Sequence, residues 1–476
     1  MNKPRRLHPI ASLIYFIKMV REWIIPFVVV LVFGKNNHPS FLGLKWVGVS
    51  IVLLMSLIVG IASWYRFTYR IEQGELRIEY GVFVRKRRYI PQENIQAIHI
   101  SSGIVQRLFG LVKLQIETAG GNQEAEAVLT AITREEAERL RVLLLQDEFS
   151  VEKESTEALL CYKAAYKDLL IAASTSGRLG IVLSAIGALF SQFDEWIPYE
   201  AIFRKLRQFV HLDAVLLIVA AVVVVTLAWF ISILIIVVKY RHFTVQRKGK
   251  DIIISHGWLE KRQFTIPLAH IQAIRISQNP VRELFGYAAV YIESAGSTFE
   301  KDANYSTMLF PLVNMKDINE RLETFVPGYT IPFSFISLPR RALPRYLRRV
   351  MLFPAICIFI ICYFFRPWGY ALLLALLPLV WLGYARYKDG GWNIAGCQLA
   401  LRYRLVTKII VLLEKQRIQS LERKQSIFQQ QKKLATVGVS IRSGLHSKRF
   451  SVIDMSENDL CRIEDWYRPS GDIDED

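Results

Sequence analysis

The stretch "RRYIPQENIQAIHI", Arg87 to Ile100, is echoed by "QFTIPLAHIQAIRI", Gln263 to Ile276. In each, a proline stands four residues before an "IQAI" tract, and the two prolines, Pro91 and Pro267, are 176 residues apart. The same offset relates "RLFG" at Arg107–Gly110 to "ELFG" at Glu283–Gly286, and "IETAG" at Ile116–Gly120 to "IESAG" at Ile292–Gly296. Several matches at one spacing mark a repeated domain. A third copy is fainter. "LEKQRIQSL", Leu413–Leu421, keeps Ile418 and Gln419 against Ile95 and Gln96 at an offset of 323 residues, but reads "QKK" at Gln431–Lys433 in place of "LFG".

The repeated phrase has a backbone explanation. Proline cannot donate to a strand ladder, so Pro91 ends one strand at Ile90 and turns the chain. From Ile95 the apolar period is two, the mark of a new strand. The repeat motif (Pro91, Ile95, Gln96, Leu108, Phe109 and Gly110; Pro267, Ile271, Gln272, Leu284, Phe285 and Gly286; Ile418 and Gln419) therefore reads as a structural corner, not a catalytic loop. The plainer role for Gln96 and Gln272 is to satisfy nearby backbone with their amides. Alternation also runs through "RFTYRIEQGELRIEYGVFVRKRRYI", broken at Gly74 and Gly81. It then gives way to helical patterns: "TREEAERLRVLLLQ" starts with a capping box of Thr133 and Glu136, and corresponding helices start near Asn314 and Asp317 and near Ser456 and Asp459. Each block is several strands followed by one helix, a helix able to close the open end of a small antiparallel barrel or sandwich.

With 476 residues, 52% of them apolar, the chain is long enough for about three domains and too apolar for an ordinary soluble protein. A bilayer core is crossed by about 20 largely apolar helical residues. Leu212–Val238 and Trp46–Trp64 are uninterrupted runs of this kind; Val350–Phe365 and Trp368–Tyr384 form a pair, Leu179–Phe190 is short, and Trp23–Phe33 spans only with help from the charged residues before it. The runs pair as hairpins. The expected plan is a hairpin within 1–64 and a domain at 65–150, a linker at 151–178, a hairpin at 179–238 and a domain at 239–330, then a basic linker at 331–349, a hairpin at 350–384 and a divergent domain with an acidic tail at 385–476.

The hairpin-then-domain unit with "IP…IQAI…LFG…IE(T/S)AG" resembles the bacterial pleckstrin-homology-like (PH-like) domains of the YdbS/YdbT membrane protein family, over nearly the whole chain. The resemblance implies an α+β multi-pass membrane protein in which each of three transmembrane hairpins is followed by a small PH-like antiparallel β-barrel of about seven strands with a C-terminal helix. It also implies a small single-domain PH-like membrane partner of the same family. A setting in envelope maintenance or stress resistance follows from the same analogy.

Lysine and arginine crowd one side of the spans, including Arg66, Arg70, Lys239, Arg241, Arg386 and Lys388, whereas the hairpin tips hold few, such as Lys35, Lys45 and Arg366. The amino terminus and all three domains are thus expected in the cytoplasm. The net charge of +18 then calls for no nucleic acid: residues 65–178 balance at 16 basic and 16 acidic, and the excess gathers at the membrane boundary. There an anionic leaflet attracts each cation by about 1 kcal/mol. Candidate contacts with lipid headgroups are Arg340, Arg341, Arg345, Arg348 and Arg349, and secondarily Arg85, Lys86, Arg87 and Arg88, whose faces alternate on a strand. For both runs the plainer reading is topology and solubility. In the second tip Ile202, Phe203, Leu206 and Val210 recur at helical spacing, as in a helix lying in the outer interface.

No P-loop, nucleophile elbow, HExxH or glycine-rich fingerprint occurs, and the five cysteines and eight histidines form no ligand pattern. No catalytic residue, metal or cofactor is expected. The expected function is a non-enzymatic membrane scaffold presenting three cytoplasmic PH-like domains to partner proteins or membrane lipids. The rival is a transport or lipid-handling protein with a path through six helices, against which the Leu212–Val238 run, with its one acid at the edge, and the charge-free Trp46–Trp64 run speak.

Overall fold

The computed structural model describes residues 4–33, 39–72, 74–118, 127–144, 160–175, 180, 182–184, 187, 213–294, 306–364, 373–443 and 446–468. The helix expected around Ile202, Phe203, Leu206 and Val210 lies outside the described residues. In the first repeat, strand β1 (Arg5–Arg6) precedes helices α1 (Ile10–Phe33) and α2 (Pro39–Arg66). Then come β2 (Thr68–Glu72), β3 (Glu75–Tyr80), β4 (Lys86–Pro91), β5 (Ile95–Ser102), a short helix α3 (Ile104–Leu108), β6 (Leu111–Thr118), β7 (Ala127–Thr133) and α4 (Arg134–Leu144). The second repeat opens with β8 (Leu160–Lys163), α5 (Tyr166–Ser174) and α6 (Asp213–Tyr240). It continues through β9 (Thr244–Lys248), β10 (Asp251–His256), β11 (Lys261–Pro267), β12 (Ile271–Gln278), α7 (Pro280–Leu284), β13 (Tyr287–Ser294), β14 (Ser306–Asn314) and α8 (Ile318–Phe325). The third has β15 (Ile336–Ser337), α9 (Leu343–Phe364) and α10 (Leu376–Asp389) before β16 (Gly391–Ala395), β17 (Gln398–Arg404), β18 (Lys408–Glu414) and β19 (Ile418–Lys424). It ends with α11 (Ile427–Gln430), β20 (Leu434–Ser443), β21 (His446–Ser456) and α12 (Glu457–Tyr467).

Each repeat therefore has seven described strands, and the first of them is contributed from before the membrane helices. β1 pairs with β2, β8 with β9 and β15 with β16. This revises the picture of plain linkers. Residues 160–174 form a strand and a helix, and Ile336–Ser337 form a strand. Strands of two to four residues are too short to show a period, so alternation could not reveal them.

Three described helices are long and apolar enough to cross a membrane: Val47–Arg66, Ile218–Tyr240 and Arg340–Phe364. α1 starts at Ile10, well before the apolar Trp23–Phe33 run. It packs on α2 at Gly60, where an added Cβ would stand 3.0 Å from the Ser12 carbonyl oxygen. Gly383 of α10 does the same against α9, where an added Cβ would meet Leu347 Cδ2 at 3.0 Å. Small residues let helix backbones approach closely in a bilayer.

The described residues form two compact units that do not coincide with the repeats. One comprises residues from 1–159 with 248–267, the other residues from 160–247, 268–297 and 302–476. In the first unit β1-β2-β3-β4 form one antiparallel sheet, and β7-β6-β5 continue through β11 to β10. Leu76, Ile78, Ile90, Ile98, Leu114 and Leu129 from these strands are buried with Ala137, Leu140 and Leu144 of α4. Those three helix residues recur at i, i+3 and i+7, one face of the helix. Each large aliphatic side chain so buried contributes about 1.5–3 kcal/mol.

In the second unit β14-β13-β12 continue through β18 to β17, β16 and β15, while β19-β20-β21 form a separate sheet. Leu460 and Ile463 of α12 are buried in a core with Val437, Val439, Phe450 and Val452. The junctions in the two units are the same junction. His99 of β5 stands opposite Phe264 of β11, and Arg275 of β12 opposite Val411 of β18. These pairs correspond under the repeat offsets. The fifth strand of one repeat thus pairs, in one conserved register, with the fourth strand of the next repeat.

The strands run through Pro91 and Pro267, one residue beyond the expected end, and a turn follows in all three copies. Each "IP"-type phrase leads into a single 3-10 turn: Gln92–Asn94, Leu268–His270 and Lys415–Arg417. The Gln92 amide donates to the Gly74 carbonyl at 3.1 Å, and the corresponding Lys415 amide to Cys397 at 2.8 Å. Gly110 and Gly286 have φ of 66° and 72°, the left-handed region that suits glycine. Lys433, at the equivalent place, adopts φ 49° without being glycine. The helix starts differ from the capping-box pattern. Thr133 Oγ1 accepts the Glu136 amide at 3.3 Å, but the Glu136 carboxylate turns to Arg5 and Tyr69. Asp317 and Ser456 make no side-chain cap bond.

Candidate functional site

The Arg340–Arg349 run divides between two faces. Arg340–Ala342 form a 3-10 turn that leads into α9, and Arg340 and Arg348 are exposed. Arg341, Arg345 and Arg349 follow one another at i, i+4 and i+8, so they share a stripe. Arg341 donates to the Lys433 carbonyl at 3.2 Å and to Ser456 Oγ at 3.3 Å. Arg345 donates to the Phe428 carbonyl at 2.8 Å. Its Nε lies 3.1 Å from Asp454 Oδ1, and Arg349 Nη2 lies 3.3 Å from Asp454 Oδ2.

Asp454 is fully buried in β21 with φ 57°. It accepts a 2.7 Å hydrogen bond from Gln429 Nε2, which also donates to Thr436 Oγ1 at 2.9 Å. Gln429 is fixed by a capping box with Ser426 at the start of α11. A buried carboxylate is tolerable only when paired and hydrogen-bonded; here the Gln429 amide bonds Oδ1 and two guanidinium groups pair with the carboxylate by charge, while Oδ2 makes no hydrogen bond among the described residues. Beside it opens a cleft of about 370 Å³, lined by Arg345, Arg349, Lys424 and Arg449 with hydroxyls of Ser426, Thr436 and Ser451. Lys424 and Arg449 both bind Glu422, at 3.0 and 2.5 Å. The hydrogen bond from Lys424 and the charge of Arg449 hold the Glu422 carboxyl below its usual range. Four cations against two carboxylates leave the cleft positive, at the start of an apolar helix. Such a site is suited to a phosphate ester.

A second charged cluster is structural in character. Glu293, fully buried, accepts Arg275 Nε at 2.8 Å and Lys448 Nζ at 2.9 Å to each oxygen. Arg275 also donates to Ser306 Oγ at 2.7 Å and stacks 4.3 Å from the Tyr291 ring centroid. Burial holds the Lys448 ammonium below its usual range, against the opposing pull of Glu293.

Arg85 and Arg87 reach Glu79, the latter at 3.4 Å, and Arg88 lies 5.8 Å from the Tyr80 ring centroid, so these arginines form a surface network around the start of β4. Gln272 donates to the His270 carbonyl at 3.3 Å, whereas Gln419 is exposed. The side chain of Gln96 lies outside the description. Leu108, Phe109, Leu284 and Phe285 are exposed, which a corner alone does not require. Asp454, Gln429, Lys424, Arg449 and Glu293 were not singled out from sequence. The available signal was an acid inside an otherwise apolar strand, as in "SVIDM" and "VYIES". Among the described residues no group of three or more His, Cys, Asp or Glu could hold a metal ion.

Comparison with known proteins agrees with this architecture. The bacterial PH domain family matches three times, at residues 26–148, 201–325 and 344–470. The transmembrane protein YdbT of Bacillus subtilis (strain 168) is 40% identical over 488 aligned positions that cover 98% of each chain.

Proposed function

The chain belongs to the bacterial PH domain family, and from that premise we propose that it is a non-enzymatic membrane scaffold presenting three PH-like domains at the cytoplasmic face to partner proteins and lipid headgroups. In this reading each domain is a small barrel closed by its C-terminal helix and tethered by a preceding membrane hairpin. Seven strands per repeat and the amphipathic helices α4, α8 and α12 support it. The excess of basic residues beside the spans supports the cytoplasmic orientation.

The observation that carries the proposal is the repeated strand junction. β5–β11 and β12–β18 use one register, so successive repeats are spliced through main-chain hydrogen bonds and not merely strung on linkers. Splicing fixes the spacing of adjacent surfaces, and tethering raises their effective concentration for weak ligands. The basic cleft beside Asp454 supports headgroup contact. Edge availability supports docking by a small single-domain relative. β4 and β19 each end a described sheet, whereas their counterparts β11, β18, β5 and β12 are paired.

Copurification of the full chain in mild detergent, with bound lipids and proteins identified, tests the proposal. Recovery of anionic lipid and a membrane protein partner is expected. Recovery of neither, with unaltered envelope behaviour in a deletion strain, counts against it.

A further inference from the structure

Every repeat exposes apolar pairs at two places, several of them hydrogen-bonded to the ends of the membrane helices. The first is the turn between its third and fourth strands: Phe83 and Val84, Trp258 and Leu259, Leu405 and Val406. The second is the short helix after its fifth strand, with Leu108 and Phe109, Leu284 and Phe285, and Ile427 and Phe428. Exposure reaches 90% at Phe83, 85% at Leu284 and 70% at Phe428. A single exposed leucine needs no explanation, but a large apolar pair in the same turn of every repeat does, as does one on the same short helix, at its end in the first two repeats and at its start in the third.

Hydrogen bonds fix where these tips stand. Arg66, the last residue of α2, donates to the Val82 carbonyl in the first turn. Arg386, in the last turn of α10, donates to the Leu405 carbonyl at 2.6 Å. Arg345, near the start of the Arg340–Phe364 span, holds the Phe428 carbonyl. Arg282 of α7 reaches Thr175 Oγ1 at 2.9 Å, next to Ser174, whose carbonyl accepts Trp229 Nε1 of the Ile218–Tyr240 span at 3.2 Å. In the first repeat Gln106 of α3 bonds the Thr130 carbonyl, and Thr130 meets the Tyr15 hydroxyl of α1.

The strand junctions also combine tips from neighbouring repeats. Arg107 of α3 donates to the Trp258 carbonyl at 2.7 Å, bringing Leu108 and Phe109 to the Trp258 turn. Thr407 donates to Asn279 Oδ1 at 2.8 Å, bringing the Leu405 turn to α7. Two composite apolar patches result, one in each compact unit.

We infer that these turns and short helices are wedges that insert into the interface of the membrane the chain spans, with the lipid leaflet as their ligand. The occupant follows from continuity: the patches adjoin helix surfaces that lipid already covers, and guanidinium groups at their base face the headgroup layer. This would seat the domains at a set depth and tilt, with headgroups at the level of Arg345 and Arg349. The inference rests on the membrane-bound reading above, and goes beyond it in making the domains themselves lipid-inserted.

The test is nitroxide depth measurement on the full chain, with its native cysteines changed to serine, in vesicles of phosphatidylethanolamine and phosphatidylglycerol. Single cysteines replace Leu108, Leu284 or Phe428, with Leu54 of α2 as the lipid control and Lys250 as the aqueous control. Labels at the three tips should favour collision with oxygen over a water-soluble nickel chelate severalfold, as at Leu54. Tip labels that behave like Lys250 overturn the inference while leaving the scaffold reading standing. Tip labels shielded from both reagents also overturn it, because a protein surface then covers them. If Leu54 itself reads as aqueous, the membrane reading fails with it.

Discussion

Replacing Glu293 with glutamine should loosen one strand junction while sparing the other compact unit. The carboxylate is fully buried and takes three bonds of 2.8–2.9 Å from Arg275 and Lys448. Breaking a buried charge cluster by removing one partner costs about 3–5 kcal/mol. The lower end applies here. Arg275 keeps Ser306 and the Tyr291 ring, and Lys448, already held low by burial, can shed its proton once Glu293 is neutral. A loss of about 3 kcal/mol is roughly a hundredfold in an opening equilibrium. Global unfolding of a multidomain membrane protein is not a two-state process, so amide hydrogen exchange is the suitable assay. Protection in β12, β13 and β21 should fall by about two orders of magnitude, with β2–β4 unchanged. Adding Lys448→Met to Glu293→Gln should recover part of the loss, because the second buried charge goes too. Protection in β13 and β21 unchanged to within about threefold would refute the reasoning.

Other substitutions probe separate links. Lys433→Gly should stabilise the third repeat by about 0.5–1 kcal/mol, since the φ of 49° strains a side-chain-bearing residue; slower exchange around β20 is the readout. Gly60→Leu and Gly383→Leu should lower the thermal midpoint in detergent by forcing their helix pairs apart, whereas Gly48→Ala, with nothing within 4 Å, should leave it unchanged. Burial pushes Tyr403 up to about 12 from 10.0. Its contribution is therefore complete below pH 10 and is lost as pH rises toward 12, because the unfolded chain ionises first. Tyr403→Phe should reduce that alkaline loss by about 3 kcal/mol at most, measured as denaturation midpoints in a pH series.

The repeats were legible because their corners depend on local backbone chemistry. Pro91 and Pro267 stop a ladder, and Gly110 and Gly286 occupy positive φ. The third copy faded in letters because Lys433 adopts the same backbone conformation at a strain cost, while the Lys415 turn keeps its hydrogen bond to Cys397. The strand junction was not legible. β5 alternates with period two whether its neighbour is β11 or solvent, so no local pattern names the partner. The charged run at Arg340–Arg349 drew attention through composition, but two of its arginines pair with Asp454, about a hundred residues later, which only the fold brings near. Leu108, Phe109, Leu284 and Phe285 read only as parts of a structural corner because apolar letters do not say which side of a turn they take. Their exposure depends on the short helices α3 and α7.

The central claim is that all three PH-like repeats lie against the inner leaflet. Single cysteines at Glu93, Lys250 and Lys432, one in each repeat, can be offered a membrane-impermeant maleimide in intact cells and again after the membrane is opened, with Lys35 at the first hairpin tip as the outward control. The account predicts that the three repeat positions react only after opening, while Lys35→Cys reacts in intact cells. Labelling of any repeat position in intact cells would contradict it.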